Sequence, residues 1–313
     1  MASTVVVFAP SPLLTVTIED RAGVPDIHVH AGGQAVWQAR MISSLGVRVV
    51  LCATLGGEAG DVLGHLLPSE GIELRAVPVD SRNGGYVHDR RDGDRDPIAE
   101  APGSPLDRHE QDALYELMLH EGITHGTALL GGPNSDDVIP AALYARLATD
   151  LSRNGCRVAA DLSGKRLDAV LEGGPFVIKV SHEELLADGR AENDDPATLV
   201  AAMRQLRAEG AGTVIVSRAA DPALALLPEG EESGSDVLEI RVPELTPAET
   251  RGAGDSMTAG VVASLVQGEP VQEALRTGAA CGALNVVRRG LGTGGADAIR
   301  ALAERVELIN WKD

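Results

Sequence analysis

Arg251-Gly252-Ala253-Gly254-Asp255-Ser256 sets two glycines and a carboxylate at the point where an apolar helix begins. Met257, Ala259, Val261, Val262, Leu265 and Val266 carry that helix on, with apolar positions at three-to-four spacing. A glycine loop feeding a helix start bares several backbone N–H groups, and the helix dipole adds partial positive charge. Such a place binds anions, phosphate above all. A carboxylate beside a bound phosphate is electrostatically disfavoured unless it has a task, such as orienting or deprotonating an attacking hydroxyl. The alternative is that Asp255 only caps the helix, as Asp commonly does.

Outward from this loop, short β-branched runs alternate with helical patterns. Strands are expected at Val5–Phe8, Arg48–Ala53, Thr127–Gly131, Arg157–Asp161, Phe176–Lys179 and Thr213–Ser217. Helices are expected at Val36–Leu45, Asp61–Glu70, His109–Glu121, Ile139–Asn154, Asp195–Glu209, Asp255–Gln267 and Val271–Arg288. Near-continuous apolar strands separated by helices imply a mostly parallel sheet covered on both faces, with ligands at the carboxyl ends of its strands. The segments at about 12–30 and 73–100 break the alternation with turn signals such as Asn83-Gly84-Gly85. They read as a small β-sheet lid on one domain spanning residues 1–313, a cover or a dimer surface.

The chain has 46 acidic against 27 basic residues, a formal net charge of −19. Nucleic acid and anionic membrane surfaces are therefore poor partners. Phosphate binding in so acidic a chain needs positive groups concentrated locally, yet lysine occurs only at Lys165, Lys179 and Lys312. Cys52, Cys156 and Cys281 are far apart in apolar surroundings, which suggests buried thiols in a reducing compartment. No signal peptide or membrane-length apolar run is visible, so a cytoplasmic protein is expected. Asp92, Asp94 and Asp96 imitate the start of a calcium loop, but Pro97 stands where the loop needs glycine.

TRGAGDSMTAG (250–260) resembles DTxGAGD, the signature of ribokinase-like (PfkB) carbohydrate kinases. Three more segments resemble that family in the same order: AGGQAVWQARMISSLGVRVVLCATLGGEAGDVLGHLLPSEGI (31–72), AADLSGKRLDAVL with PFVIKVSHEEL (159–171, 175–185), and GAACGALNVVRRGLGTG (278–294). The pattern is most similar to the 1-phosphofructokinase and tagatose-6-phosphate kinase branch. The resemblance implies a three-layer α/β/α ribokinase-like fold, ATP and Mg2+ as cofactors, and a sugar or sugar phosphate as substrate; relatives are often homodimers.

By the same resemblance Asp255 is the base facing the acceptor hydroxyl, and Arg251, Gly252, Ala253 and Gly254 surround the transferred phosphate. A helix start lowers a carboxylate's pKa, which weakens it as a proton acceptor, but a loose transition state tolerates a weak base. Lys179 ends a strand before Ser181 and Glu184, where the family has Asn-x-x-Glu near Mg2+. Glu184 is thus either a Mg2+ residue acting through water or the capping-box partner of Ser181. Asp161 is a further candidate for the metal region. Ser217 and Arg218 open a nucleotide-side loop, and Asn285 either borders adenine or is a helix-surface residue.

The acceptor side departs most from the family pattern. Gly32 and Gly33 remain, but Gln34 replaces a substrate-facing Lys, Trp37 an Asn, and Leu13 an Asp. Trp37 either packs in the core or stacks on a ligand. Arg82 matches an arginine that contacts substrate phosphate. In the nucleotide loop Ala219 and Pro222 stand where the family has glycine. The leading expectation is a phosphofructokinase-like sugar kinase. The alternatives are a catalytically inactive metabolite-binding protein of the same fold and a nucleoside kinase.

Overall fold

Every residue of Thr4–Ala9 is buried, and its side chains divide by parity between two cores. Val6 and Phe8 pack with Leu114, Met118 and Leu147 on one side, while Val5 and Val7 pack with Val36, Met41 and Leu63 on the other. Successive side chains point to opposite faces of a strand, so this strand lies in a sheet covered on both sides. The computed structural model describes residues 3–93, 95–133, 135–230, 235–246, 250–288 and 290–312. Asp94 of the calcium-like run lies outside the described residues.

The strands are β1 Thr4–Ala9, β2 Leu13–Arg21, β3 Val24–Gly32, β4 Arg48–Leu55, β5 Glu73–Pro78, β6 Gly85–Asp89 and β7 Asp96–Ala101. They continue as β8 Thr127–Gly131, β9 Arg157–Asp161, β10 Val177–Ser181, β11 Thr213–Arg218, β12 Asp221–Leu226, β13 Val237–Arg241 and β14 Glu307–Asn310. The helices are α1 Gln34–Ser44, α2 Gly57–Ser69, α3 Arg108–His125, α4 Ala141–Arg153 and α5 Gly164–Leu171. After them come α6 His182–Ala187, α7 Pro196–Ala208, α8 Ala253–Val266, α9 Val271–Val286 and α10 Ala296–Ala303.

Ten strands form one sheet in the order β14-β13-β12-β11-β10-β9-β8-β1-β4-β5, parallel from β11 to β5 and antiparallel from β11 to β14. Helices α3, α4, α5 and α7 contribute to one core, and α1, α2, α8 and α9 to the other. This is the expected three-layer α/β/α arrangement. The smaller sheet has the order β3-β2-β6-β7. Its bounds differ from the sequence reading: Glu73–Pro78, expected in the lid, pairs in parallel with β4 from Val50↔Glu73 to Leu55↔Pro78. The strand is half exposed at the sheet's edge and carries Glu73 and Arg75, as edge strands often carry charge. That polarity hides it among lid segments.

Helices α8 and α9 approach closely because both present glycine. A Cβ on Gly278 would lie 2.4 Å from a Val261 methyl, and one on Gly260 would lie 2.9 Å from the Gly278 Cα. The crossing seats the start of α8 over the carboxyl ends of β9 and β10. Cys52, Cys156 and Cys281 are free and buried, as expected. Among the described residues no helix is long and apolar enough to cross a membrane.

Candidate active site

Helix α8 begins at Gly252, which holds φ +75° and ψ 4°, a left-handed conformation that costs glycine least. No side chain caps this helix start. Asp255 lies inside the first turn instead of at the cap, so the simple capping alternative does not hold. Ala253 N donates to the Thr250 carbonyl at 3.4 Å and Ser256 N to the Gly252 carbonyl at 2.9 Å, and a cavity walled by Thr250, Ala253 and Gly254 lies beside the turn.

Asp255 is half-buried, with its carboxyl set among other charged groups. Burial, and then the neighbouring Asp161 carboxylate, push its pKa up to about 7; Lys179 and a hydrogen bond from Gln34 pull the other way. Desolvation and a like charge thus outweigh the helix dipole, and the carboxyl moves up where the helix start alone would move it down. A carboxyl poised near neutrality can accept a proton from an alcohol far better than an ordinary Asp.

Asp161, at the end of β9, is buried and fully engaged. Oδ2 accepts from Gln38 Nε2 at 3.0 Å and Thr258 Oγ1 at 2.7 Å, and Oδ1 lies 3.4 Å from Lys179 Nζ. Those donors occupy both oxygens, so Asp161 anchors the network and is poorly placed to ligate a metal. Burial opposes the charge of Lys179, but Asp161, Glu184 and Asp255 outweigh it and raise its pKa. Its ammonium packs under the loop: a Cβ on Gly254 would lie 2.5 Å from Nζ. Gln38 and Thr258 escaped the sequence reading, because only the fold turns them toward Asp161.

The cavity beside the loop has a volume of about 570 Å³, within the range of small-molecule sites. Met257, Ala279 and Val286 give it apolar walls, while Lys179, Ser217 and Arg218 line its polar parts. Ala219 stands at φ +50° in the tight turn between β11 and β12, so the left-handed backbone persists without glycine. Glu184 and Ser181 form a complete capping box, with Ser181 N donating to Glu184 Oε2 at 2.7 Å. Asn285 is not among the residues lining that cavity and is not on the helix surface. It is fully buried, donates from Nδ2 to the Arg251 carbonyl at 2.8 Å, and accepts from Gly292 N at 3.0 Å.

On the acceptor side Gln34 is held between strands. Its Oε1 accepts from Gly132 N at 2.8 Å, its Nε2 donates to the Asp161 carbonyl at 3.3 Å, and it also bonds to Asp255. The adjoining cavity, lined by Gly32, Gly33 and Gln34, holds only about 10 Å³. Leu13 is buried against it, its side chain 3.8 Å from a Cβ placed on Gly33. Trp37 lines neither cavity; its backbone abuts Gly292. Arg82 is exposed, with its stem against Gly57 at the start of α2.

A helix start that no side chain caps, beside a cavity of about 570 Å³ on a largely parallel α/β body, is the layout of a small-molecule phosphotransferase. The chain belongs to the pfkB family of carbohydrate kinases, whose model matches residues 14–298. It is 26% identical over 269 residues to a 1-phosphofructokinase of Borreliella burgdorferi, covering 83% of this chain and 82% of that protein. It is also 26% identical over 266 residues to the 1-phosphofructokinase of Bacillus subtilis, covering 84% of each. The solved structure of phosphofructokinase-2 from Escherichia coli superimposes with a TM-score of 0.83 at 23% identity, over 96% of this chain and 98% of that one. The protein is thus a sugar kinase of phosphofructokinase-like type, and its family implies ATP as the phosphate donor.

Proposed function

We propose that the chain transfers the γ-phosphoryl group of ATP to a hydroxyl of a sugar or sugar phosphate, with Asp255 as base. The observation that carries this reading is a carboxyl with its pKa near 7 in the first turn of a helix that no side chain caps and whose Ala253 and Gly254 line a nucleotide-sized cavity. Asp255 takes the acceptor's proton as its oxygen bonds to the γ-phosphorus, and the bond to the bridging oxygen breaks to leave ADP. The amides of Gly252–Gly254 and the charge of Lys179 offset the negative charge spread over the transferred group. Arg251, Ser217 and Arg218 serve the nucleotide side, and Gly32, Gly33, Gln34 and Arg82 the acceptor side. Asn285 acts by holding the loop.

Mg2+ would offset the charge of the nucleotide phosphates. Among the described residues no three acidic, His or Cys side chains form a metal cluster, which suits an ion held mainly by phosphates and water. Glu184, with one oxygen in its capping box, fits contact through a water. The outer face of the small sheet exposes Ile27 and Val29, and a second copy of the chain in a homodimer would cover it.

The test is ADP release over a panel of sugars, phosphosugars and nucleosides, with Asp255→Asn alongside. The expected result is turnover of a sugar-type acceptor that falls about 10²- to 10⁴-fold in the variant. Undiminished turnover in Asp255→Asn overturns the mechanism. A second reading, an inactive metabolite-binding protein, draws on the 10 Å³ acceptor-side cavity and the engaged Gln34. It is supported by tight ligand binding without turnover. Trp37, lining neither cavity, gives the nucleoside-kinase alternative no support.

A further inference from the structure

Gln34 is the first residue of α1, directly after Gly33 at φ +98°. Its side chain crosses the ends of β8 and β9, whose last paired residues are Gly131 and Asp161. There its Oε1 accepts from Gly132 N at 2.8 Å and its Nε2 donates to the Asp161 carbonyl at 3.3 Å. One carboxamide thus takes up a backbone donor and a backbone acceptor at the carboxyl ends of parallel strands, where such sheets bind ligands. Gly131 leaves it room: a Cβ there would lie 3.0 Å from Gln34 Oε1.

A bond between Gln34 and Asp255 sets the same amide beside the base. The remaining acceptor-side cavity, about 10 Å³, has room for one water and none for a sugar. An acceptor cannot reach Asp255 from this side while Gln34 stays in place. The other walls have little to move. They include Ala9, Pro10, Pro12, Gly33 and Val36, which are buried and short or rigid. Gln34 is the one long, flexible side chain among the lining residues, and it is only half-buried. A sugar hydroxyl offers the same pair of functions as the carboxamide, a donor for the Asp161 carbonyl and an acceptor for Gly132 N.

We infer that Gln34 is the gate of the acceptor site: its carboxamide holds the place of an acceptor hydroxyl and swings out when the acceptor takes over its bonds to Gly132 N and the Asp161 carbonyl. This rests on the kinase reading above and names the residue that controls entry to that site. Gln34 is a positioning residue of the empty enzyme, distinct from a group that grips the bound sugar. The two roles have opposite signs. Truncating a gripping residue weakens binding, whereas truncating a gate strengthens it, because the competent state no longer has to be reached from a closed one. A gate open in about one molecule in ten weakens apparent affinity about tenfold. The closed gate also keeps water from the base. With it removed, a water oxygen bonds to the γ-phosphorus, Asp255 takes the water's proton, and the bond to the bridging oxygen breaks to give ADP and inorganic phosphate.

The test reads both signs. With a non-hydrolysable ATP analogue filling the nucleotide cavity, fructose 1-phosphate and fructose 6-phosphate are titrated calorimetrically into the full chain, Gln34→Ala and Gln34→Asn. The expected result is that at least one binds, and binds Gln34→Ala about 10-fold more tightly than the unaltered chain, with Gln34→Asn between them. Equal or weaker binding to Gln34→Ala, or no binding of either sugar phosphate to any of the three proteins, overturns the inference. Gln34→Asn keeps a shorter amide and still answers if Gln34→Ala fails to fold. In turnover without acceptor, ATP hydrolysis should rise about 10-fold in Gln34→Ala and be lost when Asp255→Asn is added. Hydrolysis that is measurable and equal with and without the Gln34 side chain overturns the gate. Tighter sugar phosphate binding by Gln34→Ala, with no ATP consumed by any of the proteins, would sink the kinase reading and leave the gate standing.

Discussion

Asn285 Nδ2 donates to the Arg251 carbonyl at 2.8 Å while its Oδ1 accepts from Gly292 N, so one buried amide ties the loop before α8 to the loop after α9. Asn285→Ala strands the Gly292 N–H and frees the Arg251 carbonyl. A buried group left unsatisfied costs about 1–3 kcal/mol. The expected outcome is a lower urea midpoint together with a higher KM for ATP, since the loop amides lose their fixed position. Asn285→Asp retains the acceptor for Gly292 and loses the donor, so only the Arg251 side loosens. Equal midpoints for Asn285→Ala and the unaltered chain would show that the clamp carries no load.

The α8–α9 crossing gives a second prediction. A methyl on Gly278 meets Val261 Cγ2 at 2.4 Å and the Met257 carbonyl at 2.7 Å, contacts that backbone cannot relieve by a rotamer change. Overpacking of this kind costs about 1–3 kcal/mol. Gly295→Ala is the control, because nothing lies within 4 Å of its added methyl. Denaturant unfolding should show a clear loss for Gly278→Ala and nearly none for Gly295→Ala.

Ala219 holds φ +50° in the turn from β11 to β12. A left-handed residue other than glycine is strained by about 1–2 kcal/mol, and glycine gives back about 0.5–1 kcal/mol through unfolded-state freedom. Ala219→Gly is therefore expected to stabilise the chain slightly, by under about 1 kcal/mol, read as a small rise in the urea midpoint. A fall would mean that the alanine methyl contributes packing that outweighs its backbone strain.

What the sequence disclosed follows burial. Thr127–Gly131 and Arg157–Asp161 appear with the bounds expected, because strands covered on both faces read as unbroken apolar runs. Asp221–Leu226 and Val237–Arg241 went unassigned: they are antiparallel additions beyond the regular alternation of strand and helix. Glu307–Asn310 is short and largely exposed, without an apolar signal. At the site, Asp255 and its glycines were legible since they are contiguous. The bridge from Gln34 to Gly132 and the bond from Gln38 to Asp161 join residues about a hundred positions apart, which no local pattern announces. Ser181 and Glu184 lie three residues apart, and their capping box was foreseeable.

The raised pKa of Asp255 makes a prediction about pH in two directions. As a base it must be ionised, so kcat/KM should rise with pH along a limb centred near 7. For stability the sign is opposite. The folded carboxyl holds its proton more tightly than the unfolded one, whose ordinary value is 3.8. Between those values the folded state binds more protons, so its stability falls as pH rises through that window and levels above it. Asp255→Asn escapes this dependence: it should be more stable than the unaltered chain at about pH 8, with the gap closing toward about pH 4, while losing activity. Gln34→Lys tests the same group from its neighbour. A cation beside the carboxylate favours ionisation, and an opposite charge at close range lowers a carboxyl pKa by about 1–3 units. The acidic limb should move down by about a unit or more, at some cost in stability because Gly132 N loses its acceptor. If the limb stays near 7 in Gln34→Lys, Asp255 is not the group that sets it.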